Sequence, residues 1–207
     1  MEAGVFEELE LTRTRCAACD KCALASTRRN VVFSDGMPND RLMLIGEAPG
    51  ADEDAQGLPF VGKSGKLLDM IFASVGLSRE RDIYICNTIK CRPPNNRNPE
   101  PGEKAVCREY LDDQLRILKP RIIMLCGAVA ASSLLPNNLL GITKIRGRWF
   151  DGPYGSKMMP IFHPAYLLRN ESRAEGSPKW LMWQDMKEIR RAYDELVLGM
   201  FGGGGVK

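Results

Sequence analysis

The sequence predicts an α/β fold: a three-layer α/β/α sandwich around a mostly parallel, roughly four-stranded central sheet. Two observations carry that expectation. Four apolar runs of strand length occur at 41–46, 83–86, 121–126 and 157–162, and segments with helical periodicity separate them. Strands that alternate with helices bury both faces of a parallel sheet under helical layers. No internal repeat or linker-like segment interrupts the pattern. The expected organisation is therefore a single domain over 1–200, a cysteine knuckle at 16–22 attached to it, and a flexible tail at 201–207.

The elements follow in order. Val5 to Thr14 has helical periodicity and leads into the knuckle, Cys16-Ala-Ala-Cys19-Asp-Lys-Cys22. Arg41 to Gly46 is a short apolar run closed by glycine, hence a buried strand. A polar, glycine-rich loop follows. Ser64 is then the expected cap of a helix that carries Leu67, Leu68, Ile71 and Phe72. Ile83 to Cys86 is the second strand, and Asn87 to Pro99 a loop. Pro99 to Leu118 is a helix with Pro101 in its first turn, where a missing N–H costs little. Arg121 to Cys126 is the third strand and Gly127 to Leu135 a short helix. Lys157 to Phe162 is the fourth strand, ending at His163. Glu175 to Leu198 closes the fold, and Gly202 to Gly205 is a frayed tail.

The 207 residues are 44% hydrophobic and 27% charged, the balance of an ordinary soluble globular chain with a sizeable core. The apolar runs are too short to span a bilayer, and the first fifteen residues lack a signal peptide's apolar segment. The cytoplasm is expected, or the nucleoid if DNA is the partner. The net charge of +3 permits a polyanionic partner without requiring one. Arg28-Arg29, Arg92 and Arg97, Arg146 and Arg148, and Arg169 and Arg173 form local basic clusters in or near loops, available for phosphate contact. Seven cysteines, an odd number, fit metal binding or plain burial better than a complete disulfide framework.

Residues 57–64, GLPFVGKS, match the phosphate-binding P-loop pattern letter for letter. The context opposes that reading. A working P-loop leaves its strand directly and aims backbone N–H groups at phosphate. Here the preceding strand ends at Gly46, Pro59 has no N–H to offer, and Phe60 and Val61 would crowd the cradle. No later strand ends in a magnesium-binding aspartate. A nucleoside triphosphatase is thus a rival reading, not the favoured one.

In an open α/β sheet, ligands collect beyond the carboxyl ends of the strands. Three segments meet there: Gly46 to Gly50, Asn87 to Cys91, and His163 to Arg169. They bring a carboxylate, Glu47, a carboxamide, Asn87, and the chain's single histidine, His163, to one crevice. Phe60 supplies a flat apolar wall. A carboxamide pairs with a planar donor–acceptor edge and an aromatic face stacks on a ring, so this crevice is expected to take a nucleobase.

These residues carry a resemblance. GEAPGADEDAQGLPFVGKSGKLLD at 46–69, N-x3-CRPPNNRNP at 87–99 and HPAYLLR at 163–169 closely resemble the family 4, iron–sulfur-containing uracil-DNA glycosylases, from Cys16 to the closing helix. The resemblance implies hydrolysis of the N-glycosidic bond of uracil in DNA, the first step of base excision repair. It implies that Phe60 stacks on the flipped base, that Asn87 reads its polar edge, and that Glu53 crowds the C5 side against thymine's methyl group. Glu47, Ala48 and Pro49 line the base site, and Gly62, Lys63 and Ser64 lie near the DNA backbone.

The cysteine spacings, C-x2-C at Cys16 and Cys19 and C-x15-C at Cys91 and Cys107, suit tetrahedral zinc or a cubane cluster equally. The resemblance implies a [4Fe–4S] cluster on these four, pinning the N-terminal segment to the Cys91 loop. Cys22 is a conceivable substitute ligand outside the family pattern. Cys86 and Cys126 sit in strand runs and are expected to be buried as small hydrophobes.

Bond cleavage creates an oxocarbenium-like sugar and a uracil anion. His163 is expected to donate a hydrogen bond to uracil O2 as charge develops there, for which a neutral imidazole suffices. Leu167 is the expected apolar wedge that fills the vacated stack, and Arg169 an expected DNA contact. Family 1 relatives carry a water-orienting aspartate where this chain has Ala48, so Glu47 is the nearest replacement. Relatives that trap uracil-DNA covalently bear a histidine in the loop corresponding to Arg92-Pro-Pro-Asn-Asn-Arg97, which has none. A trapping module and an iron–sulfur redox protein are therefore weaker alternatives. The expected partner is uracil-containing DNA, with a sliding clamp as a candidate and a monomer as the default state.

Overall fold

The structure, a computed structural model, describes residues 3–136 and 141–201. Its strands are β1 (Asp35–Gly36), β2 (Leu42–Gly46), β3 (Ile83–Asn87), β4 (Ile122–Cys126), β5 (Phe150–Asp151) and β6 (Lys157–Ile161). They form one sheet in the order β1-β3-β2-β4-β6-β5. The four inner strands are parallel, and both edge strands pair antiparallel. The expected four-stranded core is thus present, with two edges of two residues each added to it. Elements so short leave no periodicity in a sequence.

The helices, in chain order, are α1 (Ala3–Ala17), α2 (Ala51–Gln56), α3 (Lys63–Ala73), α4 (Pro101–Leu118), α5 (Ala128–Leu134), α6 (Ile142–Ile145), α7 (Pro164–Leu168) and α8 (Pro178–Phe201). Side chains alternate across the sheet. Met43, Ile45, Tyr84, Cys86, Ile123 and Leu125 pack with Leu9 of α1, Tyr110, Leu111 and Leu115 of α4, and Ala130 of α5. Leu42, Leu44, Ile83, Ile85, Ile122 and Met124 pack with Leu68 and Phe72 of α3, Leu167 of α7, and Met182, Met186 and Ile189 of α8. All residues of β2, β3 and β4 are buried, as a sheet covered on both faces requires. The layers are α/β/α.

Three boundaries differ from expectation. The cap of α3 is Gly62, with no side-chain bond, and Ser64 lies inside the helix. The closing helix begins at Pro178, where a missing N–H is harmless, three residues later than Glu175. The turn after His163 is a short helix, α7. Gly202 to Gly205 lie outside the described residues. Among the described residues no helix is long and apolar enough to cross a membrane.

One arginine in each of two basic clusters is already engaged. Arg146 pairs with buried Asp185, and Arg97 with Glu103. Their guanidinium groups stiffen the fold rather than stand open to phosphate.

Candidate active site

The parallel register sets Gly46 beside Asn87 and Cys126 beside Ile161, so the residues after these four strands start from one level. The pairing of β2 and β3 continues past their ends, with Thr88 N–H donating to Gly46 O at 2.9 Å and Ile89 N–H to Glu47 O at 3.0 Å. The loops that bear Glu47 and Asn87 therefore leave the sheet together. Glu47, Asn87 and His163 come to the same end of the sheet, as expected. A large groove at the opposite end, lined by Arg41, Arg121 and Lys157 among others, contains none of these groups.

Phe60 joins them through strain and clamping. Its backbone is left-handed, with φ +54°, a conformation that costs a non-glycine residue about 1–3 kcal/mol. Arg79 holds it there. Its Nη2 donates to Phe60 O at 2.8 Å and Nη1 to Pro59 O at 3.1 Å, while Asp35 and Asp69 brace the guanidinium. Gly65 completes the turn, since any Cβ there would collide with the Phe60 carbonyl. The Phe60 ring is 5% exposed and its centroid lies 5.8 Å from that of His163, at an interplanar angle of 34°.

The GLPFVGKS turn binds an anion after all, and the anion is its own. Glu53 Oε1 accepts from Val61 and Gly62 N–H, both at 2.9 Å, and Oε2 accepts from Gly50 N–H at 3.1 Å. The amides that a triphosphate would need are occupied, which removes the physical basis of the nucleotide reading. The same carboxylate staples the β2 loop to the Phe60 turn.

His163 caps α7: its Nδ1 accepts from Ala165 N–H at 3.1 Å. That bond leaves Nδ1 unprotonated, so the neutral ring carries its hydrogen on Nε2. Burial, reinforced by Arg169 and opposed by Glu53, pulls its pKa from 6.5 down to about 4. The imidazole is therefore a neutral donor at neutral pH. Gly127, at φ +93°, passes close by; a Cβ there would lie 3.1 Å from the His163 Cβ.

Asn87 is 2% exposed, and its Oδ1 is a buried acceptor with no partner among the described residues. An orphaned buried acceptor costs about 1–3 kcal/mol, and at a strand end it marks a place prepared for a donor. Gly46 makes room for it. A Cβ at Gly46 would collide with Asn87 Oδ1 and lie 2.6 Å from the Phe60 ring tip.

Glu47 is half-buried, and burial raises its pKa, with Lys104 opposing. Pro49 is buried and Ala48 packs against the core. Lys63 is exposed at the start of α3, Ser64 is partly covered, and Arg169 is exposed at the end of α7. Leu167 does not fit the wedge expectation. It is 1% exposed and packs into the core, whereas Leu168 beside it is 41% exposed. The helical turn of α7 rotates one leucine inward and the next outward, a distinction invisible while the segment is read as an irregular loop. Sequence reading also missed Arg79, because an arginine within the polar run Ser78-Arg79-Glu80-Arg81 carries no local pattern.

Cys16, Cys19, Cys22, Cys91 and Cys107 line one small cavity between the end of α1 and α4. Burial pushes the Cys16 thiol up to about 12 and that of Cys107 to about 11. Two N–H groups point at sulfur: Arg28 Nη1 lies 3.4 Å from Cys91 Sγ, and Lys90 N 3.3 Å from Cys107 Sγ. Among the described residues no three such side chains stand grouped around one metal ion. A cubane does not require that grouping, since its own iron and sulfide separate its thiolates. Cysteines gathered around one cavity, Cys16, Cys19, Cys91 and Cys107 among them, with N–H donors to sulfur, fit such a group. Cys86 and Cys126 are buried in β3 and β4, as expected.

The model of the family described as "Uracil DNA glycosylase superfamily" matches residues 33–187, and the chain belongs to that superfamily. Within it, the chain is similar to proteins of the type-4 branch. A protein of Thermotoga maritima named Type-4 uracil-DNA glycosylase is 45% identical over 166 residues, 80% of this chain and 86% of that protein. Proteins with the same name in Archaeoglobus fulgidus and Sulfurisphaera tokodaii are 42% and 39% identical, covering 79% and 89% of this chain and 84% of each relative.

Proposed function

We propose that this chain, as a single domain over 1–200, excises uracil from DNA as a monofunctional glycosylase that initiates base excision repair. The observation that carries the reading is the buried, unpartnered Asn87 Oδ1 between the Phe60 ring and the strand ends. Uracil offers a ring N3–H, the donor that this acceptor lacks, and an O4 for the amide's N–H. Cytosine presents a lone pair at N3 and would set acceptor against acceptor. Phe60 stacks on the extruded ring, with Gly46, Ala48 and Pro49 shaping the floor. Glu53 fixes the two loops that confine the C5 side, where thymine's methyl group would fall.

Flipping costs a few kcal/mol. Leu168, exposed on α7, fills the vacated stack. Lys63, Ser64 and the Gly62 backbone hold the phosphates on one flank and Arg169 on the other. His163 Nε2–H donates to uracil O2 as the glycosidic bond breaks and negative charge gathers there. A preorganised donor of this kind is typically worth ~3–4 kcal/mol, on the order of a hundred- to a thousand-fold in rate. Glu47 in its ionised form stabilises the oxocarbenium and assists the entering water. The expected product is an abasic site with the strand intact.

Cys16, Cys19, Cys91 and Cys107 would hold a [4Fe–4S] cluster, which ties α1 and the Cys91 loop to α4. The enzyme acts as a monomer in the cytoplasm, associated with the nucleoid, on uracil-containing DNA.

The test is incubation with uracil-containing and control oligonucleotides, without ATP or magnesium, scoring free uracil and abasic sites. Multiple turnovers support the reading. A stable covalent adduct or no reaction would overturn it.

A further inference from the structure

Lys90 also lines the cysteine cavity, and nothing in the uracil chemistry uses it. It is 1% exposed, and no carboxylate among the described residues pairs with it. Its Nζ donates to Asn87 O at 2.7 Å and to Gln114 Oε1 at 2.6 Å, and lies 5.7 Å from the centre of the Phe33 ring. Gln114 is itself fixed, with its Nε2 donating to Tyr84 Oη at 2.8 Å and Phe33 O at 3.2 Å. All of these partners are neutral. An ammonium is rarely removed from water without a counter-ion. Of the other charged residues on the cavity, Arg28 is a cation and Lys21 is paired with Glu109. Glu103 is taken by Arg97. The wall therefore carries positive charge and, among the described residues, no unpaired carboxylate.

We propose that Lys90 is the buried counter-charge of an anionic iron–sulfur cluster on Cys16, Cys19, Cys91 and Cys107. The same ammonium, through Asn87 O, ties the cluster pocket to the residue that reads the base. The inference rests on the cluster reading given above. A cubane bound by four thiolates is a net anion, and an added electron makes it more negative. A fixed cation nearby stabilises the reduced form more than the oxidised form and raises the reduction potential.

The test compares wild type, Lys90→Met and Lys90→Arg, purified anaerobically, for iron and sulfide content, visible absorbance and the midpoint potential of the cluster's one-electron couple at an electrode. Lys90→Met is expected to shift the reduction equilibrium about tenfold toward the oxidised form, a fall of about 59 mV for one electron, with Lys90→Arg close to wild type. Loss of the cluster in Lys90→Met alone also supports the inference. Should Lys90→Met fail to fold, Gln114→Glu sets a carboxylate against Nζ and is expected to lower the potential with the ammonium retained. An iron-replete Lys90→Met or Gln114→Glu protein at unchanged potential would overturn this inference alone. Wild-type protein purified without iron or sulfide would overturn the cluster reading and this inference with it.

Discussion

The backbone N–H of Ala165 donates to Nδ1 of His163 at 3.1 Å, and this one bond fixes which ring nitrogen faces a substrate with a proton. Because His163 is the only histidine, its ring protons can be followed in solution without assignment. Their titration midpoint is expected near 4, well below the ordinary 6.5. Between those values the unfolded chain binds the proton first. The contribution of His163 to stability is therefore complete above about 6.5, is lost progressively as pH falls, and stops changing below about 4. A midpoint above 6 would contradict the neutral-donor account. His163→Ala is expected to slow excision by about a hundred- to a thousand-fold with the fold retained, read in single-turnover assays.

Asn87→Ala removes the orphaned acceptor together with the edge that meets O4. Excision of uracil is expected to fall by orders of magnitude, while thermal stability holds or rises, because a buried unsatisfied group is deleted. Gly46→Ala attacks the same spot by volume. The added methyl group strikes Asn87 Oδ1 and the Phe60 ring tip, so kcat/KM should collapse and stability fall by about 1–3 kcal/mol. Normal turnover in Gly46→Ala would show that the base does not sit there.

Arg79 is expected to act on rate without touching substrate. Lysine keeps the charge but cannot bridge two carbonyls and two carboxylates at once. Arg79→Lys should free the Phe60 turn from its left-handed conformation and raise KM about tenfold, with kcat much less affected. Equal losses in both parameters would place Arg79 elsewhere in the mechanism.

For Glu47, burial raises the pKa, and the proposed role needs the ionised form. The acidic limb of the kcat/KM profile is expected above the ordinary carboxylate range. Glu47→Gln should abolish that limb and lower the plateau, measured from pH 4 to 8.

At Lys63 the predicted effect is electrostatic. Lys63→Ala should weaken DNA binding at low salt and reduce the slope of log affinity against log salt by about 1. Neither form should hydrolyse ATP; turnover of ATP lost in Lys63→Ala would restore the P-loop reading.

Much of this was legible in the sequence, and the reasons differ by residue. The four parallel strands were visible because a sheet covered on both faces needs unbroken apolar runs, and 42–46 and 122–126 supply them. Phe60, Asn87 and His163 could be grouped because each follows a strand or lies in the loop after one, and topology sends such residues to one end. The side chosen by each leucine of α7 was not legible: inward or outward depends on a helical turn of five residues, too short to show a period. Arg79 and Lys90 were missed for a related reason. Each acts through partners far away in the chain, Asp35 and Asp69 for one and Gln114 for the other, and no local spacing records a contact of that kind. The cap of α3 is Gly62, which has no side chain to signal a cap, and its N–H is bound to Glu53 across the loop and not along the helix.

That bond bears on what the protein ignores. Free nucleotides far outnumber damaged bases wherever DNA is kept, and a bare ring of amides at Val61 and Gly62 would attract their phosphates. With a side-chain carboxylate already seated there, such molecules meet a closed door guarded by like charge. The turn itself thus offers no open amide pair at Val61 and Gly62 to a free phosphate.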